Sequence, residues 1–451
     1  MKIPLKPPRL RDLLGELTSQ EPEKFAEVLS SQLERKPEGR YIHWDELRHQ
    51  PVPGGFTHRH WWLAIKMARR SAHRLPFKDS LGAEFTYTVP DSLFKLLHEI
   101  DRDASGRMEI GEQVTNPQTR DRYLVSSLIE ESITSSQLEG AATTYKVAKE
   151  MLRQGRKPRN HSEQMIFNNY AAMQFIRSNK QSAITPELIL QLQSIMTDST
   201  LEDPSAAGRW RRSDEDVRVV DNRNQEVLYV PPPAQEVKSR IERLCQFAND
   251  TNDSPFIHPL IRAIVIHFMI GWIHPFVDGN GRTARALFYW SMAKGGYWLI
   301  EFTSISRIIK KAPAQYARAY LHAETDDNDV TYFIEHQLNV ISEAIQALHK
   351  YLAEKSREIA DTRRLIASSP KLKGRLNHRQ LAAMDHFLKH SHVTYRIQEH
   401  KNANQITYET ARTDLLDMVE LGLLEKTQEG KSFVFQMPQK LRDRLANKAS
   451  A

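Results

Sequence analysis

The sequence predicts a mainly α-helical fold with a β-hairpin in its central region and a separate helical module near its C-terminal end. Apolar residues recur three and four positions apart through most of the stretch from Pro90 to about Leu365, which is typical of amphipathic helices. One β-branched, alternating segment (217–233) interrupts this pattern. After this helical region, a Ser-, Pro- and Lys-containing stretch (368–374) predicts a linker to the last module.

The helical pattern is clearest at two places. One helix face carries Leu124, Leu128, Ile129 and Ile133, and a second carries Ile257, Leu260, Ile261, Ile264, Val265 and Phe268. Residues 331–365 predict one long helix. Between these helices, VRVVDNRNQEVLYVPPP alternates on both sides of a polar turn at 221–224, which predicts a β-hairpin. The prolines that follow cannot donate to a sheet and therefore end it.

The first 90 residues are mixed and carry no motif that points to chemistry. A helical segment, RDLLGELTSQEPEKFAEVLSSQLERK, precedes a Trp- and Pro-rich passage. Trp61 and Trp62 are interpreted as core or docking residues rather than as ligand contacts. The predicted domains are therefore an N-terminal region (1–90), a helical domain (91–365) and a C-terminal module (375–440).

Length and composition describe an ordinary globular protein. The chain has 451 residues, 40% hydrophobic and 26% charged, which suggests two or three domains. It has no run of ~18 apolar residues for a membrane span and no apolar leader near its start, so we expect a cytoplasmic protein without membrane contact. With one cysteine, Cys245, no intrachain disulfide can form, and core packing is favoured over a nucleophilic role. The net charge of +7 permits nucleotide or nucleic-acid contact without requiring it.

The densest group of chemically useful residues lies at 274–285, HPFVDGNGRTAR. An apolar helix runs to about Ile273, and Pro275 discourages its continuation. Asp-Gly-Asn-Gly then predicts a turn, and a new helix is expected to begin at Arg282. Glycines that open a helix let backbone N–H groups converge on an anion, helped by the helix dipole.

The side chains around this turn fit phosphate chemistry. Arg282 and Arg285 are expected in the first turn of the new helix, where positive charge is unfavourable unless it meets phosphate or carboxylate. Asp278 is a candidate Mg²⁺ ligand, because Mg²⁺ favours one or two carboxylates together with phosphate oxygens. His274 can titrate near neutral pH. A base, a metal carboxylate, an anion site and two arginines together favour phosphoryl or nucleotidyl transfer.

This segment resembles the signature of the Fic (Fic/Doc) family, HxFx(D/E)GNGRxxR, at every defined position. Two further stretches are similar to Fic proteins: Gly208–Arg211 with the hairpin and YVPP that follow it, which resemble the target-docking flap, and HPLIRA at 258–263, which resembles the start of the helix before the motif. The resemblance covers roughly residues 90–340. It implies the Fic helical fold with a β-hairpin flap.

The resemblance also implies a reaction, protein adenylylation (AMPylation), with ATP as substrate and Mg²⁺ as cofactor. His274 would be the base that accepts the proton of a Ser, Thr or Tyr hydroxyl, and Phe276 would anchor the loop. Asp278 would bind Mg²⁺, and the anion site for the phosphates would comprise Gly279, Asn280 and Gly281. Arg282 would contact the β-phosphate side and Arg285 the γ-phosphate. Gly281 favours AMP transfer, because a lysine there accompanies phosphorylation in a variant of the fold.

A second resemblance lies upstream, in SSQLEG at 135–140. It resembles the Fic inhibitory motif, (S/T)xxxE(G/N), with Ser135, Glu139 and Gly140 in register and N-terminal to the active-site motif. Glu139 would pair with Arg285, remove the donor that the γ-phosphate needs and misalign ATP. The same glutamate would position a water if the enzyme also removes AMP. A plain solvated glutamate is the alternative.

The C-terminal module predicts three short helices followed by a hairpin turning at Glu429-Gly430, and it resembles a winged helix-turn-helix. Thr407 is the expected N-cap of the third helix. Residues 371–451 contain 14 Lys and Arg against 9 Asp and Glu, a basic surplus that suits DNA phosphates. The third helix would enter the major groove, and its candidate DNA-contacting residues are Tyr408, Thr410, Arg412 and Thr413. Protein binding or dimerisation is the alternative role.

Three functions therefore stand at the level of sequence. The first is an autoinhibited protein adenylyltransferase that modifies itself or another protein. The second is a DNA-binding transcriptional regulator whose Fic domain senses nucleotide or modifies itself. The third is transfer of another phosphate-containing group, because no residue in the motif identifies the donor base. A homodimer is compatible with each of them.

Overall fold

The computed structural model describes residues 2–30, 33, 39–104, 117–221, 223–250, 255–367, 374–389, 393–429, 432–438 and 441. Most of these residues are helical, and the prediction of a mainly α-helical fold is confirmed. None of the helices in these ranges combines the length and the apolar character that a membrane span needs.

The chain forms two compact units. The first unit comprises residues 1–101, 174–297 and 308–342, and the second comprises residues 102–173, 298–307 and 343–451. The region 1–90 therefore belongs to the same unit as the loop at 274–285, whereas the motif at 135–140 and the C-terminal module belong to the second unit.

The described elements follow one another in this order. The N-terminal part contains α1 (Leu10–Gln20), α2 (Pro22–Ser30), α3 (Trp44–Leu47), α4 (His58–Ala68), β1 (His73–Lys78), β2 (Glu84–Tyr87) and α5 (Asp91–Ala104). The central part contains α6 (Pro117–Leu138), α7 (Tyr145–Gln154), α8 (His161–Ser178), α9 (Pro186–Thr197), β3 (Val219–Val220), β4 (Val227–Tyr229), α10 (Ala234–Asn249), α11 (Pro259–Ile273) and α12 (Asn280–Lys294). The last part contains α13 (Ile305–Lys311), α14 (Pro313–Thr325), α15 (Thr331–Ala367), α16 (His378–Lys389), β5 (Thr394–Arg396), α17 (Ile397–Asn404), α18 (Tyr408–Glu420), β6 (Glu425–Glu429) and β7 (Ser432–Gln436).

The N-terminal region forms a helical cluster rather than one long helix. The single helical segment expected over 11–36 is divided into α1 and α2, because Pro22 lacks the N–H that would continue α1. Trp61 and Trp62 are buried at 4% and 0% exposure, which makes them core residues. An antiparallel hairpin of β1 and β2 follows, and the sequence pattern did not reveal it.

The core of the first unit contains α11 and α12, which are consecutive in the chain and joined by the loop 274–279. Almost every residue of α11 is buried, and this explains why its sequence is apolar around the whole helix. Cys245 on α10 is also buried, and burial raises the pKa of its thiol to about 12. A thiol this hard to ionise supports the packing role that the sequence favoured.

In the second unit, the C-terminal module has α16, α17 and α18 together with a three-stranded antiparallel sheet in the order β5-β7-β6. Its buried side chains form one cluster: Leu381, Ala383, Met384, Phe387, Ile397, Ala411, Leu415, Met418, Leu423, Leu424, Phe435 and Met437. The Thr407 side chain accepts a hydrogen bond from the Thr410 N–H at 3.2 Å, as expected of an N-cap. Residues 368–373 of the predicted linker (368–374) and the turn residue Gly430 lie outside the described residues.

Candidate active site

The loop that joins α11 to α12 begins at His274 in a left-handed backbone conformation. His274 has φ 51° and ψ 59°, and its N–H still donates to the Ile270 carbonyl at 3.0 Å. A non-glycine residue in this region costs about 1–2 kcal/mol and persists only where its surroundings hold it. The chain therefore leaves the helix axis at His274 itself.

The imidazole of His274 has a defined tautomer. Its Nδ1 lies 3.1 Å from the Gly271 carbonyl oxygen, an atom that only accepts hydrogen bonds. Nδ1 therefore carries the proton in the neutral ring, and Nε2 carries the lone pair. This is the arrangement that a general base needs, because the bond from Nδ1 fixes the ring while Nε2 can accept a proton.

Asn280 closes the loop over Phe276. Its side-chain Oδ1 accepts from the Phe276 N–H at 2.9 Å, and its Nδ2 donates to the Phe276 carbonyl at 2.8 Å. The Phe276 ring is fully buried and stacks on Trp210 with 5.2 Å between ring centroids. Both ends of the loop are therefore tied to the core, while Val277 at its tip is 43% exposed.

Arg211 donates hydrogen bonds to the backbone carbonyls just before Phe276. Its N–H donates to the Pro275 carbonyl at 2.9 Å, and its Nε donates to the His274 carbonyl at 2.8 Å. Its Nη2 also donates to the Pro232 carbonyl, just after β4. The sequence associated Gly208–Arg211 with the flap alone, and the structure adds contacts that hold His274 in place.

Gly279 provides the turn into α12. Its φ of 86° makes it the left-handed residue before the helix, and a Cβ here would lie 3.1 Å from Cγ2 of Thr197. The helix begins at Asn280, two residues earlier than predicted. Gly281 and Arg282 consequently lie in its first turn. The expectation that Arg285 lies there too is wrong, because Arg285 is the sixth helical residue.

Asp278 and Arg282 form an ion pair beneath the loop. Arg282 Nη2 lies 3.1 Å from Asp278 Oδ2, with the arginine side chain fully buried and the aspartate side chain 51% exposed. Arg282 Nη1 donates to the Met196 carbonyl at 3.0 Å. Asp278 Oδ1 accepts from the Gly279 N–H at 2.6 Å. These bonds connect the loop to α9 and present the carboxylate at the surface.

Gln193 on α9 makes a second connection that the sequence did not reveal. Its Nε2 donates to the Asp278 carbonyl at 3.2 Å, and its Oε1 accepts from the Gly208 N–H at 2.6 Å. The side chain is fully buried. It therefore holds the loop and the segment before the hairpin at a fixed separation.

Arg285 is buried, at 2% exposure. Burial, and after it the positive charge of Arg285, holds the pKa of His267 well below its usual range. His267 is consequently neutral, and its Nε2 lies 2.8 Å from the Tyr316 hydroxyl. This hydrogen bond connects α11 to α14.

A metal ion at this site would depend on one protein carboxylate. Within the described ranges, no cluster of three or more His, Cys, Asp or Glu side chains could hold a metal ion. Asp278 is half-exposed at the loop, and Mg²⁺ commonly takes one or two carboxylates with phosphate oxygens and water as its other ligands. The donor set therefore fits Mg²⁺ brought with a nucleotide rather than a dedicated metal site.

The strands β3 and β4 pair antiparallel beside the loop, with Val219 opposite Tyr229. The Tyr229 hydroxyl donates to the Trp272 carbonyl at 3.0 Å, two residues before His274. Burial raises the pKa of Tyr229, so its hydroxyl keeps its proton and the bond persists. This contact ties the hairpin to the end of α11. Asn222 in the predicted turn lies outside the described residues.

The predicted inhibitory residues lie in the second unit, at the end of α6. Ser135 is 2% exposed, whereas Glu139 and Gly140 are exposed just after the helix ends at Leu138. Gly140 has φ 96°, which suits a chain reversal. The pairing of Glu139 with Arg285 stays a prediction.

The predicted DNA-contacting residues lie along α18. Tyr408, Arg412 and Thr413 are exposed, and Thr410 is half-buried against the N-cap. Arg412 Nη1 lies 3.4 Å from a Glu409 carboxylate oxygen, a surface pair that phosphate could displace. A DNA-binding role for this face stays a prediction.

Comparison with known proteins identifies the region that contains the loop. Residues 183–292 match the model of the Fic/DOC family. The chain is 29% identical over 147 residues to protein adenylyltransferase fic-1 of Caenorhabditis elegans, covering 32% of this chain and 26% of that protein. It is 30% identical over 126 residues to protein adenylyltransferase Fic of Nematostella vectensis, covering 25% of this chain and 26% of that protein.

The match thus spans about a quarter of the length of these curated relatives. Among solved structures, a Fic family protein from Desulfovibrio desulfuricans G20 has a similar fold. The TM-score is 0.50 at 19% identity, over 78% of this chain and 98% of that one. Residues 183–292, which include the loop from His274 to Arg285, therefore form a Fic/DOC family domain.

Proposed function

We propose that this protein is a protein adenylyltransferase that transfers AMP from Mg-ATP to a Ser, Thr or Tyr hydroxyl, either its own or that of another cytoplasmic protein. The observation that carries the proposal is the tautomer of His274, whose Nδ1–H is held by the Gly271 carbonyl at 3.1 Å. The similarity to proteins named adenylyltransferases supports the reaction class.

In the proposed reaction, His274 Nε2 accepts the proton of the target hydroxyl as its oxygen attacks the α-phosphorus. A bond forms between that oxygen and the α-phosphorus, and the bond from the α-phosphorus to the α,β-bridging oxygen breaks. Pyrophosphate leaves with the electron pair. A base at one end of the loop and phosphates at the other would supply the in-line geometry that this step needs.

The phosphates would lie at the start of α12. Because the side chain of Asn280 is committed to Phe276, its contribution would be its backbone N–H, together with that of Gly281. The Gly279 N–H donates to Asp278 Oδ1 and would have to exchange that bond for a phosphate oxygen. The positive end of the helix dipole adds to their attraction for anions. Arg282 would act on the β-phosphate side and Arg285 on the γ-phosphate. Asp278 would hold Mg²⁺, which when bound would neutralise charge on the leaving pyrophosphate.

We further propose that Glu139 restrains this activity. Its carboxylate would compete with the γ-phosphate for Arg285, and Ser135 and Gly140 would fix the end of α6 that presents it. Glu139 is exposed just after α6 ends at Leu138. Removal of AMP from a modified hydroxyl would use the same glutamate to position a water.

The test is transfer of label from ATP with Mg²⁺, using wild type and Glu139→Gly. We expect strong self-labelling from α-labelled ATP in Glu139→Gly, at least tenfold above wild type, and none from γ-labelled ATP. Label from the γ-position would indicate phosphorylation and contradict AMP transfer. Equal α-labelling of the two proteins would contradict the restraint. UTP in place of ATP tests transfer of another nucleotide by the same site.

A DNA-binding regulator is the second candidate function. The exposed residues of α18 and the basic surplus of the C-terminal module favour it. Phosphate contacts release counterions, so specific binding should weaken steeply with salt. A salt-dependent shift of DNA that Arg412→Ala reduces, in a protein without α-label transfer, would favour this function over the first.

A further inference from the structure

The second unit contains a cavity of about 280 Å³ that none of the proposed chemistry uses. We call it the α7 cavity, after the helix that supplies Lys149 and Arg153 to its wall. Its other walls come from α6, α15, α16, β5 and α17. Its volume lies near the lower end of the ~300–1,000 Å³ typical of small-molecule sites.

The walls of the α7 cavity are fixed relative to one another within the unit. The Asn402 side chain on α17 donates to the Arg153 carbonyl on α7 at 2.8 Å. On the opposite wall, Tyr395 Oη and His386 Nδ1 lie 3.1 Å apart. The cavity is therefore preformed, which lowers the ordering cost of binding.

Positive charge dominates its lining. Four cations, Lys149, Arg153, Lys355 and Arg379, face it, with one acid, Asp385. Two of these cations are already neutralised. Arg379 forms two hydrogen bonds to the Asp414 carboxylate at 2.6 and 2.8 Å, and Lys355 Nζ lies 2.6 Å from a Glu358 oxygen.

The other two cations, Lys149 and Arg153, have no hydrogen-bond or ion-pair partner for their side chains among the residues that the structure describes. They are four positions apart on α7, where like charges destabilise a helix. Glu130, the acid whose charge acts on Lys149, is itself paired with Arg307 at 3.4 Å. Burial, then the charge of Arg153, lowers the pKa of Lys149. An anion between the two would remove this repulsion.

Aromatic rings supply a second kind of surface. The cavity is lined by Tyr123, Tyr351 and Tyr395, beside the small side chains Ala382 and Ala383. The rings of Tyr123 and Tyr351 meet edge to face, with 6.1 Å between centroids, and Tyr351 is 38% exposed. Flat apolar walls of this kind accept a planar ring, and every nucleobase has a π-face that can stack.

We propose that the α7 cavity binds a nucleoside 5′-monophosphate, with the phosphate held between Lys149 and Arg153 and the base against the tyrosines. A phosphate supplies the negative charge that these two cations lack, and the base matches the aromatic wall. Because α6 lines the cavity and ends at Leu138, the ligand would contact the helix that directly precedes Glu139. The proposal does not depend on AMP transfer.

The test is isothermal titration calorimetry of the full chain with 5′-UMP, uridine and inorganic phosphate as separate probes. We expect one UMP site per chain, weaker binding of phosphate and no detectable binding of uridine. The variant Lys149→Met with Arg153→Met should bind UMP at least tenfold more weakly. Lys146→Met is the matched control, because Lys146 is exposed on the same helix and should leave binding unchanged.

Arg285→Ala tests whether UMP binds in this cavity rather than in the Fic domain. This variant should bind UMP as wild type does. Loss of UMP binding in Arg285→Ala, or unchanged binding in the double variant, would overturn the proposal. Phosphate that binds as tightly as UMP would overturn the role of the aromatic wall. Removing two like charges should also raise the thermal midpoint of the unliganded double variant. Lys149→Glu alone, with the charge reversed, is a second variant for the same titration.

Discussion

Asn280 holds Phe276 through both atoms of its side-chain amide, one accepting from the backbone N–H at 2.9 Å and one donating to the carbonyl at 2.8 Å. The sequence around Asn280 is typical of a turn, but in the structure its side chain acts as a clamp that fixes the loop. Its backbone N–H alone is available to phosphate, and its side chain sets the distance between His274 and the start of α12.

The first prediction concerns this clamp. Asn280→Ala leaves two buried backbone groups of Phe276 without partners, which should cost about 1–3 kcal/mol for each group left unsatisfied. We expect a lower free energy of unfolding and at least a tenfold loss of label transfer in the Glu139→Gly background. Urea unfolding and α-label transfer measure the two effects. Val277→Ala, at the exposed tip, should change neither, and an unaffected Asn280→Ala enzyme would contradict the clamp.

A second prediction isolates the reason for Gly279. Gly279 and Gly296 have nearly the same backbone angle, φ 86° and 84°, but an added Cβ meets Thr197 at 3.1 Å only at Gly279. Gly296→Ala should therefore cost the left-handed backbone penalty alone, about 1–2 kcal/mol. Gly279→Ala should cost more and should also weaken ATP binding. Equal unfolding free energies with unchanged ATP affinity would show that the contact with Thr197 has no role.

Arg211 gives a third prediction. Replacing it with Met removes the donors to the His274 and Pro232 carbonyls and leaves a carbonyl of the base residue unsatisfied. Because Arg211 acts on the position of the base, kcat for AMP transfer should fall at least tenfold with little change in KM for ATP. Arg212→Met is the control, since its side chain is exposed. A change confined to KM would place Arg211 in nucleotide binding instead.

A fourth prediction concerns pH and a pair of stacked histidines in the first unit. The rings of His43 and His322 lie 4.3 Å apart, and burial lowers their pKa values to about 4 and about 3. The unfolded chain takes up protons below its ordinary histidine pKa of ~6.5, while the folded chain does not. The contribution of the neutral pair to the free energy of unfolding is therefore fully present above pH ~6.5. It is lost as pH falls from about 6.5 towards 4.

Thermal unfolding between pH 7 and pH 4 measures this loss. His322→Gln should lower stability at pH 7 and flatten its dependence on pH, whereas His49→Gln, at an exposed position, should keep the wild-type slope. A His322→Gln curve parallel to that of wild type would show that the pair does not set the acid sensitivity.

The sequence predicted the parts of the site that are close together in the chain. His274, Asp278 and the glycines fall within twelve residues, and residue type and order indicate their chemistry. Gln193, Met196 and Arg211 could not be found in this way, because they reach the loop from more than 60 residues away. They act largely on or through backbone carbonyls, which leave no pattern in a sequence.

The early start of α12 has a similar explanation. Asp-Gly-Asn-Gly has the composition of a turn, and local propensity places the helix after it. The hydrogen bonds of the Asn280 side chain to the Phe276 backbone, four residues earlier, accompany a helix start at Asn280 instead. The interruption at Pro22, in contrast, follows from proline chemistry alone and was present in the sequence.

The central claim is that His274 is the base for AMP transfer. Intact-mass analysis of Glu139→Gly and of Glu139→Gly with His274→Ala, each incubated with ATP and Mg²⁺, tests it most directly. The account predicts an AMP adduct on the first protein and none on the second, with both proteins folded to the same thermal midpoint within error. Equal adducts on the two proteins, or a phosphate adduct in place of AMP, would contradict it.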